Sequence, residues 1–458
     1  MLTYVLDAAD RIPLYEQLYR ALKQDILSGR IAGGEKLPSK RALSEHLNIS
    51  RITVENAYSQ LLAEGYVVSR PRSGYFAESL EALPATQPVK SAAIQVEPPA
   101  PPTVSAGQFP FSVWAKLMRN VLLDDHDLLL QMPPNTGLFG LRQAIAGLLH
   151  RSRGMEVSPQ RIVIGAGAEY LYNILIQLLG RDCRYGLETP GHGKMRRIYE
   201  ANRVTVCPVE LDESGVSLQA LEESRANVLH ISPGHQFPTG IVTPIARRRQ
   251  LMAWLAAGED RWLIEDDYDS EFRFAGRVIP SMHSMDDLGR VIYMNTFSRT
   301  ITPALRISYM ILPEALMERY HRLLGFYSCA VPSFEQLTLA RFLDEGYFEK
   351  HVSRMKRRYR LLRDRLLELL RNSPKAWAMT VEGEDAGLHF LLHLCTELTD
   401  HELQSRLNTE GFRAAALTQY EICPRSDTGT LVVQYSDLRE EDLPRLVSTL
   451  ETLTKETP

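Results

Sequence analysis

From Phe109 onward, short apolar runs with strand composition recur between segments of helical spacing, and this alternation restricts the possible folds more than any other feature. The runs are Arg161 to Ile164, Asn227 to Ile231, Trp262 to Glu265 and Val291 to Met294. Parallel strands need long crossover connections, which are usually helices lying on the faces of the sheet. The predicted body is therefore α/β, with a mostly parallel sheet, flanking helices and a smaller C-terminal α+β subdomain. A chain of 458 residues, 44% hydrophobic and 24% charged, has room for two or three domains, at roughly 150 residues each.

The first 77 residues have a different character. Leu14, Leu18, Leu22 and Ile26 recur every four positions behind Pro13, which suits a first helical position, and Gly29 supplies a stop. A second helix is predicted from the N-cap Ser39 through Arg41, Leu43 and Leu47. A third starts at Ser50, carries Val54, Ala57, Leu61 and Leu62 on one side, and ends at Gly65. Tyr66 to Val68 and Tyr75 to Phe76 then flank Arg70-Pro71-Arg72-Ser73-Gly74, a strand, a basic turn and a returning strand. Three helices and a hairpin make a winged helix-turn-helix. Residues 78–108, with Glu97-Pro98-Pro99-Ala100-Pro101-Pro102, read as a stiff linker. The expected division is 1–77, linker 78–108, and 109–458.

Charge gives only local support for nucleic-acid binding. The whole chain carries a formal charge of −4. Residues 1–76 hold ten Lys or Arg against eight Asp or Glu, a small surplus for a nucleic-acid binder. Yet Lys36, Lys40, Arg41, Arg51, Arg70 and Arg72 fall near the second helix, the third helix and the turn. Glu55 is expected at or beside the groove-facing side. The five cysteines are scattered without metal-ligand spacing, so no metal is expected. No apolar stretch nears the roughly 18 residues of a membrane span, and no leader pattern opens the chain. A cytoplasmic location with no membrane partner follows.

Several ordered motifs in the first domain resemble GntR-type transcriptional regulators: Leu14-Tyr15-Glu16-Gln17-Leu18, Leu37-Pro38-Ser39-Lys40-Arg41, Ile49-Ser50-Arg51-Ile52-Thr53-Val54 and Glu64-Gly65-Tyr66. The resemblance implies that Arg41, Ser50, Arg51 and Thr53 contact phosphates and base edges of a double-stranded DNA operator. It also implies that the wing, around Arg72, Ser73 and Gly74, touches the minor groove or backbone.

Phe109 to about Val447 resembles fold-type I aminotransferases of class I, which use pyridoxal phosphate. Asn135-Thr136-Gly137-Leu138-Phe139-Gly140 is similar to the family's substrate loop, and Gly165-Ala166-Gly167-Ala168 to its phosphate turn at a helix N-terminus. His235-Gln236-Phe237-Pro238-Thr239-Gly240 matches the turn beside the cofactor ring. The match makes Asp266 the partner of the ring nitrogen and brings Tyr268 to the ring hydroxyl, with a solvated acidic loop as the plainer alternative for Asp266 and still more for Asp267 and Asp269. Gly167, Ala168, Thr296, Ser298 and Arg306 would hold the phosphate, and His192 sits where a stacking tyrosine is usual.

The match breaks at the centre of the chemistry. In Thr296-Phe297-Ser298-Arg299, the Schiff-base lysine is replaced by Arg299, and a guanidinium keeps its proton and does not condense with an aldehyde. The arginine that clamps a substrate carboxylate is replaced by Val432. Lys194 is a surface lysine or a substitute amine. A winged helix joined to such a domain resembles the MocR subfamily of regulators over the whole chain, a likeness that Gly346 to Tyr359 shares. That resemblance implies a homodimer on paired operator half-sites, with a small-molecule effector, a vitamer or amino compound, in the former active site. Pyridoxal phosphate or pyridoxamine phosphate would bind without a covalent bond. An active aminotransferase and a ligand-free dimerisation scaffold are the alternatives.

Overall fold

The computed structural model describes residues 2–7, 10, 12–79, 109–274, 279–385, 387–422 and 428–456. Nearly all of the proline-rich linker, residues 80–108, lies outside them, as does Cys423. The chain divides into two compact units, Met1–Ala100 and Pro101–Pro458.

In the first unit, α1 (Leu14–Leu27), α2 (Lys40–Leu47) and α3 (Arg51–Ala63) precede the hairpin β1 (Val67–Arg70) and β2 (Gly74–Ala77). Serines set two of the helix starts. Ser39 Oγ accepts from the Ala42 amide and Ser50 Oγ from the Thr53 amide, each at 3.1 Å, satisfying donors that a helix cannot pair internally. Asn48, at φ 52°, ends α2 in the left-handed conformation, which reverses the chain within two residues. Leu18, Leu22, Leu43, Val54, Ala57, Tyr58 and Leu61 form a closed core, and the Tyr58 hydroxyl donates to Pro38 O at 2.9 Å.

Two expectations here need correction. Pro13 lies one step outside α1, with ψ 143°, as the residue before its first turn. Leu62 is 42% exposed: the stripe of 54, 57, 58 and 61 is filled by Tyr58, and a residue eight positions after Val54 is rotated roughly 80° from it.

The second unit is built on an eight-stranded sheet. Its strands are β3 (Ile162–Gly165), β4 (Arg184–Thr189), β5 (Thr205–Asp212), β6 (Gly215–Val216), β7 (Val228–Ile231), β8 (Trp262–Asp266), β9 (Val291–Thr296) and β10 (Ser308–Ile311). The order is β3-β10-β9-β8-β7-β4-β5-β6. β9, β8, β7, β4 and β5 run parallel, while β10 runs against both neighbours and β6 against β5. Every residue of β3, β7 and β9 is buried, because helices cover both faces. The unbroken apolar runs in the sequence have this cause.

The smaller sheet is antiparallel, in the order β11 (Met379–Glu382), β12 (Phe390–Leu394), β14 (Thr430–Val433), β13 (Ala415–Ala416). The helix Tyr347–Arg371 packs on it through Met355, Tyr359, Leu362, Leu366 and Leu370, and leaves Arg357 and Arg358 in solvent.

Leu22 has no exposed surface and sits at the centre of the first unit. Leu22→Ala should destabilise that unit by about 2–5 kcal/mol, measured in the full chain as faster amide exchange across α1 to α3 with exchange in the large sheet unchanged.

Candidate functional site

The third helix opens with groups turned outward. Arg51 is exposed and makes no hydrogen bond or ion pair with a described residue. Ser50 Oγ and Thr53 Oγ1 lie 2.8 Å apart, so the helix start is rigid where Arg51 projects. Arg41, 82% exposed along its side chain, holds Glu45 at 2.8 Å. Glu55 does not stand free: Lys40 Nζ donates to it at 2.6 Å, pushing the Glu55 carboxyl below its usual range and tying α2 to α3. Ile52 is 69% exposed between Arg51 and Thr53, an apolar side chain that the sequence reading passed over. In the turn, Arg72 takes φ 59° and Gly74 φ 108°, and Arg72 and Ser73 are exposed.

The second unit holds a cavity of about 340 Å³ that opens where strands of the large sheet end. Seven of the eight residues expected around a cofactor line it: Ala168, His192, Asp266, Tyr268, Thr296, Ser298 and Arg306. The eighth, Gly167, lies directly beneath Arg306. With φ 92° it precedes the helix Ala168–Leu179, and a Cβ there would come within 2.5 Å of Arg306 Nη2. Glycine is needed for both reasons. Arg306 Nη2 donates to Glu169 Oε2 at 3.1 Å, and Lys194 Nζ pairs with the other oxygen of the same carboxylate. These two cations hold the Glu169 carboxyl low, Lys194 most strongly. Lys194 is largely exposed, as expected, but it borders the cavity and its ammonium is engaged.

Asp266 ends β8, buried. Its Oδ2 accepts from the Tyr172 hydroxyl at 2.7 Å and lies 3.7 Å from His230 Nε2, whose Nδ1 is 2.9 Å from the Tyr199 hydroxyl. Burial, then the Asp266 charge, pushes the Tyr172 phenol well up, so it remains a donor. On β9, Thr296 Oγ1 accepts from Ser308 Oγ at 2.8 Å and from the Ser298 amide at 3.1 Å. Ser298 Oγ is itself buried without a partner among the described residues. His192 presents its ring to the cavity, 5.1 Å from the Phe237 ring, and the enclosing walls, then the Arg299 charge, lower its pKa.

Arg299 is exposed to the cavity and forms no hydrogen bond or ion pair with a described residue. Its charge acts on His192, Tyr268, His389, Tyr420 and Asp437. Val432, paired in register with Leu391, is buried with Leu391 and Phe237 against Tyr268, Leu417 and Tyr420. An apolar wall therefore stands where a carboxylate clamp was sought.

The solvated-loop alternative for Asp266, Asp267 and Asp269 is overturned, since all three are buried. Asp267 accepts from the Tyr293 hydroxyl at 2.6 Å and is paired with Arg153. Asp269 Oδ2 lies 2.8 Å from His235 Nδ1, and the Tyr268 hydroxyl lies 3.2 Å from that nitrogen. His235, Asp269 and His389 place ligand-type atoms within 4.8 Å of one another, a grouping drawn from three distant segments that no local motif announces. His389 Nε2 is 3.1 Å from Pro238 O.

Residues 102–450 match the family model "Aminotransferase class I and II", and residues 14–76 match "Bacterial regulatory proteins, gntR family". A helix-turn-helix regulator carrying an aminotransferase-like unit is the class so defined. An uncharacterized HTH-type transcriptional regulator of Bacillus subtilis, YdeL, is 40% identical over 94% of this chain and 95% of its own length. The probable rhizopine catabolism regulatory protein MocR of Rhizobium meliloti is 32% identical, over 91% and 88%. The pyridoxine biosynthesis regulator PdxR of Corynebacterium glutamicum is 31% identical over 88% of both chains. The chain belongs to the MocR subfamily of GntR-type regulators. In fold, the larger unit matches LysN, an α-aminoadipate aminotransferase of Thermus thermophilus, with TM-score 0.66 and 23% identity over 76% of this chain and 89% of LysN.

Burial, then the charge of His235, pushes the His389 pKa down from 6.5 to about 3. The unfolded chain takes up a proton on this ring below its ordinary pKa while the fold refuses it, so stability falls as pH drops from about 6.5 towards about 3. His389→Gln, which keeps a donor for Pro238 O, should flatten this decline in urea-unfolding midpoints compared between neutral and acid pH.

Proposed function

We propose that the chain is a DNA-binding regulator whose aminotransferase-like unit senses a pyridoxal-phosphate vitamer or related amino compound by reversible binding, without catalysing amino-group transfer. One observation carries this reading: the phosphate and ring partners are kept around a cavity in which the anchoring position is Arg299. The residues fit the phosphate, because Ser298 Oγ is buried and unpartnered beside Thr296, and Gly167 lets the Arg306 guanidinium lie against the helix N-terminus at the cavity. A ring nitrogen partner is supported by Asp266, which lines the cavity and accepts from Tyr172. The residues do not fit a covalent anchor.

When bound, the vitamer would supply an aromatic ring able to withdraw electrons. Transfer of an amino group would still need an amine to form the bond and a base to move the proton. Arg299 supplies neither, and Lys194 is committed to Glu169.

For DNA, Arg41, Ser50, Arg51, Thr53, Arg72, Ser73 and Gly74 are proposed as the contact set, with Ile52 added as an apolar contact to a thymine methyl. Phe111, Leu123, Leu130, Met132 and Phe326 are between 63 and 88% exposed in the single chain. Such a concentration of large apolar side chains favours a homodimer interface, and a two-fold dimer would present two winged helices to paired half-sites. An effector shifts this arrangement only if it binds two states with different affinity.

Two measurements test the reading. Arg51→Ala should weaken a specific operator by about 1–3 kcal/mol and a random duplex far less; equal losses on both would make Arg51 a phosphate contact only. Calorimetric titration with pyridoxal phosphate, pyridoxamine phosphate and their carboxylate-bearing derivatives should show saturable heat with at least one of them, whereas a flat trace with every one at millimolar ligand would leave a dimerisation scaffold. Turnover of an amino donor by the purified chain would restore the enzyme reading.

A further inference from the structure

Five cations line the cavity, Lys194, Arg196, Arg197, Arg299 and Arg306, and they stand in unlike settings. At Gly167, Arg306 and Lys194 share the Glu169 carboxylate, so their charge is already answered. Arg299 has no such partner among the described residues. It also borders the narrow recess between Tyr268, His389 and Gln434, whose one carboxylate, Asp269, is taken by His235, while Phe237 and Tyr420 furnish apolar wall. A guanidinium offers five donors in a planar fork, and the group that matches this fork is a carboxylate taken through two parallel hydrogen bonds. An aldehyde oxygen would accept as a neutral partner, and an ammonium would be repelled.

Resting on the vitamer-sensing reading, we propose that the cavity selects a phosphorylated pyridine bearing a carboxylate that faces Arg299, and discriminates against the aldehyde and amine forms. With Val432 in the wall, Arg299 is the cation that borders both the cavity and the recess beside it, whereas Arg196 and Arg197 line the cavity alone. Two sources share this chemistry. The carboxylate can belong to the ring, as in the phosphate ester of pyridoxic acid. It can instead belong to an amino acid joined to the ring through a secondary amine, as in phosphopyridoxyl-L-leucine. Arg299 is then a specificity-determining residue that reads the oxidation state or adduct state of a vitamer.

The test is calorimetry on the full-length chain with four ligands: pyridoxal phosphate, pyridoxamine phosphate, the phosphate ester of pyridoxic acid, and phosphopyridoxyl-L-leucine. At least one carboxylate ligand should bind about tenfold or more tightly than the aldehyde and amine forms, the size expected of a charge-assisted bidentate contact. Whichever of the two wins identifies the source. In Arg299→Gln the advantage should fall to about unity. In Arg299→Lys the order should invert, with pyridoxal phosphate turning the protein yellow. Equal affinities for all four ligands on the unaltered chain would overturn the inference and leave the vitamer sensor standing. A preference that survives Arg299→Gln would overturn it as well. Absence of binding by all four would reject the vitamer-sensing reading itself.

Discussion

Five strands that run the same way fix everything else about the larger unit. Because β4, β5, β7, β8 and β9 are parallel, their carboxyl ends lie along one edge of the sheet, and the turns that follow must meet there. His192 follows β4, Phe237 follows β7, Asp266 closes β8, and Thr296, Ser298 and Arg299 end or follow β9. Those side chains are far apart in sequence and adjacent in space for one topological reason. The antiparallel β10 returns beside β9 and delivers Arg306 and Ser308 to the same edge. The sheet sets the positions, and the hydrogen bonds of Thr296, Tyr172 and Glu169 then fix the orientations.

The strands and helices were largely legible because their signals are local. Ser39 and Ser50 announced two helix starts that their Oγ atoms do cap, and the apolar runs marked β3, β7, β8 and β9 to within two residues. Leu62 failed because a hydrophobic stripe has finite width, and Tyr58 fills the place given to it. The fates of the acidic run at 266–269 could not be sorted locally. Asp267 is answered by Arg153 and Tyr293, and Asp269 by His235, partners far along the chain. The same distance hid the Glu169 pairings and the grouping of His235, Asp269 and His389. Substitutions such as Arg299 and Val432 stood out only against a related pattern, since neither residue is unusual by itself.

Loss of a covalent anchor and loss of catalysis have different weights in an enzyme and in a regulator. A transaminase needs a lysine that both holds its cofactor and carries a proton, so exchange for arginine would abolish its purpose. A regulator needs a difference in affinity between two conformations, and binding through a phosphate, a ring nitrogen and a third polar contact can supply one. On the proposed reading, the apolar wall at Val432 and the charge at Arg299 would together change which groups the cavity accepts. Behind them two buried hydrogen bonds, Tyr199 with His230 and Tyr172 with Asp266, bring the His230 ring to within 3.7 Å of the Asp266 carboxylate.

Glu169 gives the cavity mouth a property that reaches beyond geometry. Because its carboxylate neutralises Arg306 and Lys194 from within the chain, a phosphate arriving under the proposed reading would enter by exchange, one anion leaving the cations as another takes its place. The strength of that internal pairing would then set the concentration at which such a ligand registers, and a change at Glu169 would retune that threshold without altering which molecule is recognised.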